Sequence, residues 1–299
     1  LCYRSSYGNG GKARPGADAQ SWEPEVGDAR IVGVEMETNM ETRLPALRRL
    51  TVRCAGIAAV ITVVLAAGCA DLSKSPEMSA ADYRAIVAAP DRTDADRAND
   101  ARRKPEQVLA FAGVRSGMKV LDMSAGGGYS TELLARAAGP QGMVYAQDSE
   151  ATSEQARARF DERMKKPVMK NAIRVLRDFD DPAPPGAREL DLVTIFYGYH
   201  DLPAMGVDRA KMNRRIFESL RSGGSYLIAD HAAKAGVGVS ASKSLHRIEE
   251  SVLRREVEAA GFRFVADADF LRNPADPREE RVFALKIPVD NFVLKFAKP

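Results

Sequence analysis

From Pro105 onward the apolar residues fall into short runs separated by glycine- and proline-bearing turns, and the spacing inside each run sets the element it predicts. Pro105 to Ala112 is apolar at helical spacing, with Pro105 suited to a first turn that needs no N–H and Gly113 ending it. Lys119 to Asp148 reads as strand, glycine-rich turn, helix and strand. Val120 and Leu121 close the first apolar run, Gly126, Gly127 and Gly128 make the turn, and Leu133, Leu134 and Ala137 recur at helical spacing before Gly139. Met143 to Ala146 then leads to Asp148. Ser153 to Lys166 predicts a charged helix, Ile173 to Leu176 a strand, and Pro182 to Gly186 a turn. Leu190 to Phe196 is almost continuously apolar, as expected of a strand covered on both faces of a parallel sheet.

The later half predicts a helix over Met212 to Leu220, a turn over Leu220 to Gly224 and a strand over Ser225 to Ala229. Ala232 to Ser242, rich in small residues and glycine, suits a mobile lid. Leu245 to Ala260 reads as one helix with Leu245, Ile248, Val252, Val257 and Ala260 toward the core, followed by a strand over Phe262 to Ala266. Arg281 to Ile287 reads as the last full strand, and Phe292 to Phe296 as a short closing strand or edge. No internal repeat is visible, so a single domain over 91–299 is the simplest organisation.

The strand–turn–helix–strand unit is a nucleotide-binding arrangement: glycines admit a ligand close to the backbone, and Asp148 can accept hydrogen bonds from a ribose. The spacing disfavours two nucleotide classes. Counted from Gly126, the third glycine of a dinucleotide fingerprint falls on Thr131, and no Lys follows the glycines as a P-loop requires. Asp122, Ser124, Gly126 and Gly128, an acid followed by alternate small residues, resemble motif I of the class I S-adenosylmethionine-dependent methyltransferases. Ser124 replaces the usual first glycine, which asks that the backbone there avoid positive φ. Leu220-Arg221-Ser222-Gly223-Gly224 is similar to that family's L-x-P-G-G turn, with Ser222 in place of the proline.

The resemblance runs from Arg103 to about Lys298 and implies an α/β fold with a doubly wound, mostly parallel seven-stranded sheet. It implies S-adenosylmethionine at the C-terminal edges of the first strands, covered by the helix that precedes them. Asp122, Ser124, Gly126, Gly128 and Asp148 would surround it, with Asp178 on the adenine amine and Phe179 against the adenine face. The words YHDL, DHAA, LHRI and FVLKFAKP also resemble a little-characterised group of bacterial methyltransferases, several with export signals.

The three histidines follow the strands expected to flank the transferred methyl: His200 after the fourth, His231 after the fifth, His246 in the next helix. A base is needed only for a hydroxyl, thiol or protonated amine acceptor; His200 suits that role, held by Asp201 or Asp230, with His231 and His246 supporting it. Two other readings stay open: a structural His200, and a divalent metal held by the histidines with Asp201 or Asp230, although no local H-x-x-x-H spacing points to one. Tyr197 and Tyr199 alternate at the strand end, one placed to stack on substrate or to pack in the core.

Composition changes the picture only at the start of the chain. A net charge of +3 over 299 residues gives no sign of a nucleic-acid partner. Residues 1–39 lack apolar periodicity and read as an over-extended start ahead of Met36 or Met40. Residues 40–69 resemble a bacterial lipoprotein signal: Arg43, Arg48, Arg49 and Arg53, an apolar stretch from Ala55 to Ala67, then Leu65-Ala66-Ala67-Gly68-Cys69, with the leucine one place further upstream than usual. Arg48-Arg49 also resembles a twin-arginine signal. The expectation is a lipid anchor at Cys69 in the cell envelope, a tether over 70–90, and a mature chain without an internal disulfide, since the other cysteines are Cys2 and Cys54. The charged stretch Asp91 to Lys104 reads as a solvated helix face. Two functions remain: methyl transfer to a small or envelope-associated acceptor, or a lipid-anchored binding or metal-dependent protein that keeps the fold without the transfer.

Overall fold

The computed structural model describes residues 77–299. The expected over-extended start, the expected signal with Cys69, and the first part of the expected tether lie outside the described residues. Among the described residues no helix is long and apolar enough to cross a membrane.

Three helices precede the sheet. α1 (Ala80–Val87) starts at a capping box in which Ser79 and Asp82 exchange side-chain and backbone hydrogen bonds. Its Tyr83 and Val87 are buried, and the Tyr83 hydroxyl donates to the Val114 carbonyl at 2.8 Å. The described part of the expected tether is therefore docked helix, because two apolar side chains one turn apart are enough to seat it. α2 (Asp94–Arg103) is capped by Thr93 and ends at Lys104 in a left-handed conformation, from which α3 (Pro105–Ala112) starts at Pro105 as expected.

The core unit is β1 (Lys119–Met123), α4 (Tyr129–Ala138) and β2 (Met143–Asp148), followed by α5 (Glu154–Met164), β3 (Ala172–Leu176), β4 (Leu190–Phe196), α6 (Arg209–Ser219) and β5 (Leu220–His231). α7 (Ser242–Leu245), α8 (Glu250–Glu258), β6 (Arg263–Ala268) and β7 (Asn291–Ala297) complete the chain. The seven strands form one sheet in the order β3-β2-β1-β4-β5-β7-β6, parallel except for β7, which runs antiparallel to both of its neighbours. The order reverses between β1 and β4, which opens a crevice at their C-terminal ends.

Alternate residues of each inner strand bury into opposite layers. Leu121, Met123, Val193, Ile195, Tyr226 and Ile228 pack with α6 and α8, while Val120, Leu192, Leu227 and Ala229 pack with α1, α3 and α4. Both faces are covered, which is why Leu190 to Phe196 carries almost no polar residue.

Several expectations are corrected. The turn over Leu220 to Gly224 is already the start of β5, Leu220 pairing with Leu190 before a register shift. Arg281 to Ile287 is not a strand: Phe283 and Ile287 are exposed and only Val282 is buried. The closing segment is instead an inner strand, β7, with Phe292, Val293, Leu294 and Phe296 fully buried between β5 and β6. The helix expected over Leu245 to Ala260 is broken at His246, which takes φ 55°. From there Ile248 donates to the His231 carbonyl at 3.0 Å and accepts from Ala233 at 2.9 Å, so 246–248 runs beside the end of β5. Between them Arg247, fully buried, bonds the Ala232 carbonyl and pairs with Asp276 at 2.9 Å.

The charged segment Asp91 to Lys104 is solvated along one side only: Asp94, Arg102 and Lys104 are exposed, whereas Arg92 and Asp96 are buried. Arg163 grips Asp96 in a bidentate pair at 2.9 and 2.8 Å and also meets Glu132, which takes Arg136 at 2.6 Å and Lys166 at 2.9 Å. Arg92 pairs both oxygens of Asp100 at 2.7 and 2.8 Å. The buried side of this charged run serves pairing between α2, α4 and α5.

Candidate active site

β1 delivers the chain to the glycine turn through Ser124, which stands at φ 55°, followed by Gly126 at φ 55° and Gly128 at φ 77°. The sequence expectation for Ser124 is thus overturned: serine occupies the left-handed region here, a local strain at the mouth of the cleft. Gly128 caps α4, and a Cβ there would lie 2.9 Å from the Phe160 ring, so both conformation and space require glycine.

Asp122 does not face the cleft. It lies fully buried beneath the turn, accepting from Ser130 at 2.9 Å, Thr131 at 2.7 Å and Thr194 at 2.9 Å, and so ties the start of α4 to β1 and β4. Burial pushes its pKa up to about 6, against the pull of those hydroxyls. Asp148, at the end of β2, accepts the Gly126 N–H at 2.7 Å, and burial raises its pKa as well.

A cleft opens over this turn, lined by Ser124, Gly126, Tyr129, Ser130, Asp148, Thr152, Tyr197 and Arg103 among others. Neither Asp178 nor Phe179 lines it: Asp178 is exposed, and Phe179 is buried in the layer that holds Leu121, Tyr199 and Met212. The β3 end turns its apolar residue inward to the core. The residue that sequence reasoning missed is Arg103. Its guanidinium lies between two rings, 5.0 Å from Tyr129 and 4.8 Å from Tyr197, its Nε is buried without a hydrogen-bond partner, and it joins no ion pair among the described residues. Burial lowers its pKa. Its one sequence signal, a basic residue two places before Pro105, was hidden in a run of alternating charge.

The three histidines converge. His200 Nδ1 meets Asp230 Oδ1 at 2.6 Å, and Asp230 Oδ2 accepts the His200 backbone N–H at 2.8 Å. The His200 ring centre stands 5.1 Å from His231 and 5.6 Å from His246. His231 stacks on Tyr197 at 5.0 Å, and its Nδ1 meets Asn291 Oδ1 at 2.6 Å, which places the hydrogen on Nδ1. Asp201 Oδ1 lies 2.9 Å from His246 Nδ1 and 3.2 Å from His200 Nε2. Tyr199 is core: fully buried, donating to Glu256 at 2.9 Å and accepting from Asn213 at 3.0 Å. Of Tyr197 and Tyr199 it is Tyr197, at φ 56°, that faces the cleft.

This geometry does not favour His200 as the base. Burial draws its pKa down, but the Asp230 and Asp201 carboxylates outweigh burial and push it up to about 10, so the ring carries its proton at neutral pH. His231 goes the other way, down to about 3, through burial and the neighbouring His200 charge. Asn291 and the break at His246 carried no sequence signal, since both act across the fold.

Residues 100–242 match the model of the ubiE/COQ5 methyltransferase family; the match includes the glycine turn, His200, Asp201 and His231 and stops before His246. No curated protein matches the sequence. Among solved structures the chain is similar to an S-adenosylmethionine-dependent methyltransferase from Aquifex aeolicus, with 17% identity, 75% of this chain and 100% of that one covered, and a TM-score of 0.51. It is also similar to a methyltransferase of Bacillus halodurans described as putative, with 20% identity over 64% of this chain and 97% of that one, at a TM-score of 0.46. The seven-stranded, mostly parallel sheet with flanking helices is the class I methyltransferase fold.

Proposed function

We propose that this S-adenosylmethionine-dependent methyltransferase methylates a small or envelope-associated acceptor that enters on the Tyr197 and His231 side of the cleft. The observation that carries the reading is Arg103, a half-buried cation with a buried Nε and no ion-pair partner among the described residues, facing the same cleft as Asp148 and the glycine turn. The donor fits these groups: a ribose diol suits the Asp148 carboxylate, and the methionyl carboxylate suits Arg103, since an unpaired buried charge is costly until an anion meets it. S-adenosylmethionine supplies the activated methyl group. The chain supplies alignment, by fixing the turn through Asp122 and holding the cleft-facing Tyr197 against His231. His231 Nε2 keeps its lone pair, because Nδ1 holds the hydrogen on Asn291, and it can accept a hydrogen bond from an acceptor hydroxyl.

The test uses S-adenosylhomocysteine and methylthioadenosine, which lacks the amino-acid end. Arg103→Met is expected to weaken the first by about 10- to 150-fold, the range for a charge-assisted hydrogen bond, and to leave the second unchanged. Equal loss of both, or of neither, removes Arg103 from the carboxylate. Absence of donor binding by the wild-type chain removes the whole assignment.

The lipoprotein reading of residues 40–69 joins this proposal. Anchorage at Cys69 on the envelope would keep the enzyme near membrane-associated acceptors. It rests on the sequence pattern of residues 40–69.

A further inference from the structure

We propose that His200 Nε2, Asp201 Oδ1 and His246 Nδ1 form a binding site for one divalent transition-metal ion, of the zinc, iron or cobalt class. The three atoms lie within 4.8 Å of one another. Two of their separations are 3.2 and 2.9 Å, close to the roughly 3.3 Å that separates tetrahedral ligands each about 2.0 Å from zinc. His200 Nε2 is buried without a hydrogen-bond partner although the rest of the ring is fully engaged. His200 Nε2 faces the Asp201 carboxylate at 3.2 Å without hydrogen-bond geometry, and an ion that displaces the ring proton would bridge the two.

The surroundings match what a ligating imidazole needs. Asp230, itself fully buried, holds Nδ1 of His200 at 2.6 Å and the backbone N–H at 2.8 Å, the carboxylate support that fixes a ligand ring with its Nε2 forward. Two imidazoles and one carboxylate select a transition ion over magnesium or calcium, which prefer oxygen alone. Three protein ligands also leave a coordination position open. One contact opposes the site as it stands: Arg281 donates to His246 Nε2 at 3.0 Å, which requires the hydrogen of that ring on Nδ1. Ligation through Nδ1 moves the hydrogen to Nε2, and the exposed Arg281 side chain then turns to solvent. Ion binding and Arg281 therefore compete for one tautomer. The open position would hold the hydroxyl or thiol of an acceptor and ease its deprotonation, a consequence that rests on the methyl-transfer reading; ion binding itself does not.

The full chain, stripped with a chelator and dialysed, is titrated with zinc against a chromophoric competitor, and cobalt is followed by its visible d–d absorption. One equivalent is expected to bind. Asp201→Ala and His246→Ala are each expected to weaken it about 100-fold or more, and Arg281→Ala to tighten it by removing the competing donor. Binding of S-adenosylhomocysteine reports whether each variant is folded. A variant that loses it is replaced in the comparison by the cobalt spectrum of the wild-type chain, whose nitrogen and oxygen ligands give a low-coordinate band. No stoichiometric binding by the wild-type chain, or wild-type affinity in folded Asp201→Ala and His246→Ala, overturns the site. Intact donor binding beside absent ion binding overturns this inference and leaves the proposed function standing.

Discussion

The Asp148 carboxylate accepts the backbone N–H of Gly126 at 2.7 Å, so the acid at the end of β2 closes on the glycine turn that leaves β1. The same carboxylate faces the cleft, where a ribose diol would meet it. Asp148→Ala is expected to weaken S-adenosylmethionine by about 1.5–3 kcal/mol, the worth of a hydrogen bond to a charged group. Calorimetric titration measures it. Unchanged affinity in a folded variant would place the ribose elsewhere.

Asp122 makes folding depend on pH in a direction opposite to most carboxylates. Its folded pKa, about 6, stands above the unfolded value of 3.8, so the native chain holds a proton that the unfolded chain has lost between those limits. The contribution is fully present below the lower value and lost as pH rises through the upper one, to the extent of about 3 kcal/mol. Denaturant titrations of the wild type and Asp122→Asn at about pH 4 and pH 7 isolate the effect, because other carboxylates cancel in the difference. A stability gap that does not change with pH contradicts it.

Glu132 balances Arg136, Arg163 and Lys166 while its own side chain is almost fully buried. Glu132→Ala leaves those cations with Asp91 and Asp96 only, and the expected loss is about 3 kcal/mol of folding stability, the scale for removing one partner of a buried pair. Urea unfolding gives the number. A loss below about 1 kcal/mol, the worth of an exposed pair, would show the cluster to be solvated.

Cys69→Ser is expected to abolish incorporation of a labelled fatty acid and to release the protein from the membrane fraction or leave the precursor uncleaved, since acyl chains anchor through buried CH₂ groups. Wild-type protein that takes up no label sinks the lipid-anchor reading.

The sequence by itself determined the nucleotide half of the fold. Lys119 to Asp148 reads correctly because strand, turn and helix there are local: Val120 and Leu121, the glycines, and Leu133 with Leu134 each carry their own period, and Gly128 marks a conformation other residues resist. The same holds for Leu190 to Phe196, where burial on both faces leaves one pattern. Tertiary structure decided what depends on distant partners. Phe292 to Phe296 reads as an edge from its length, yet it lies between β5 and β6 because the sheet order is not written in any one segment. Leu245 to Ala260 has helical spacing, but Arg247 is drawn into a buried pair with Asp276 and Ile248 bonds beside β5, and these outweigh one turn of helix and set His246 across from His200. Arg103 in a charged run and Asn291 at a strand start acquire their roles only when Tyr197, Tyr129 and His231 are brought to them, since pairing and stacking across the fold have no local period to read.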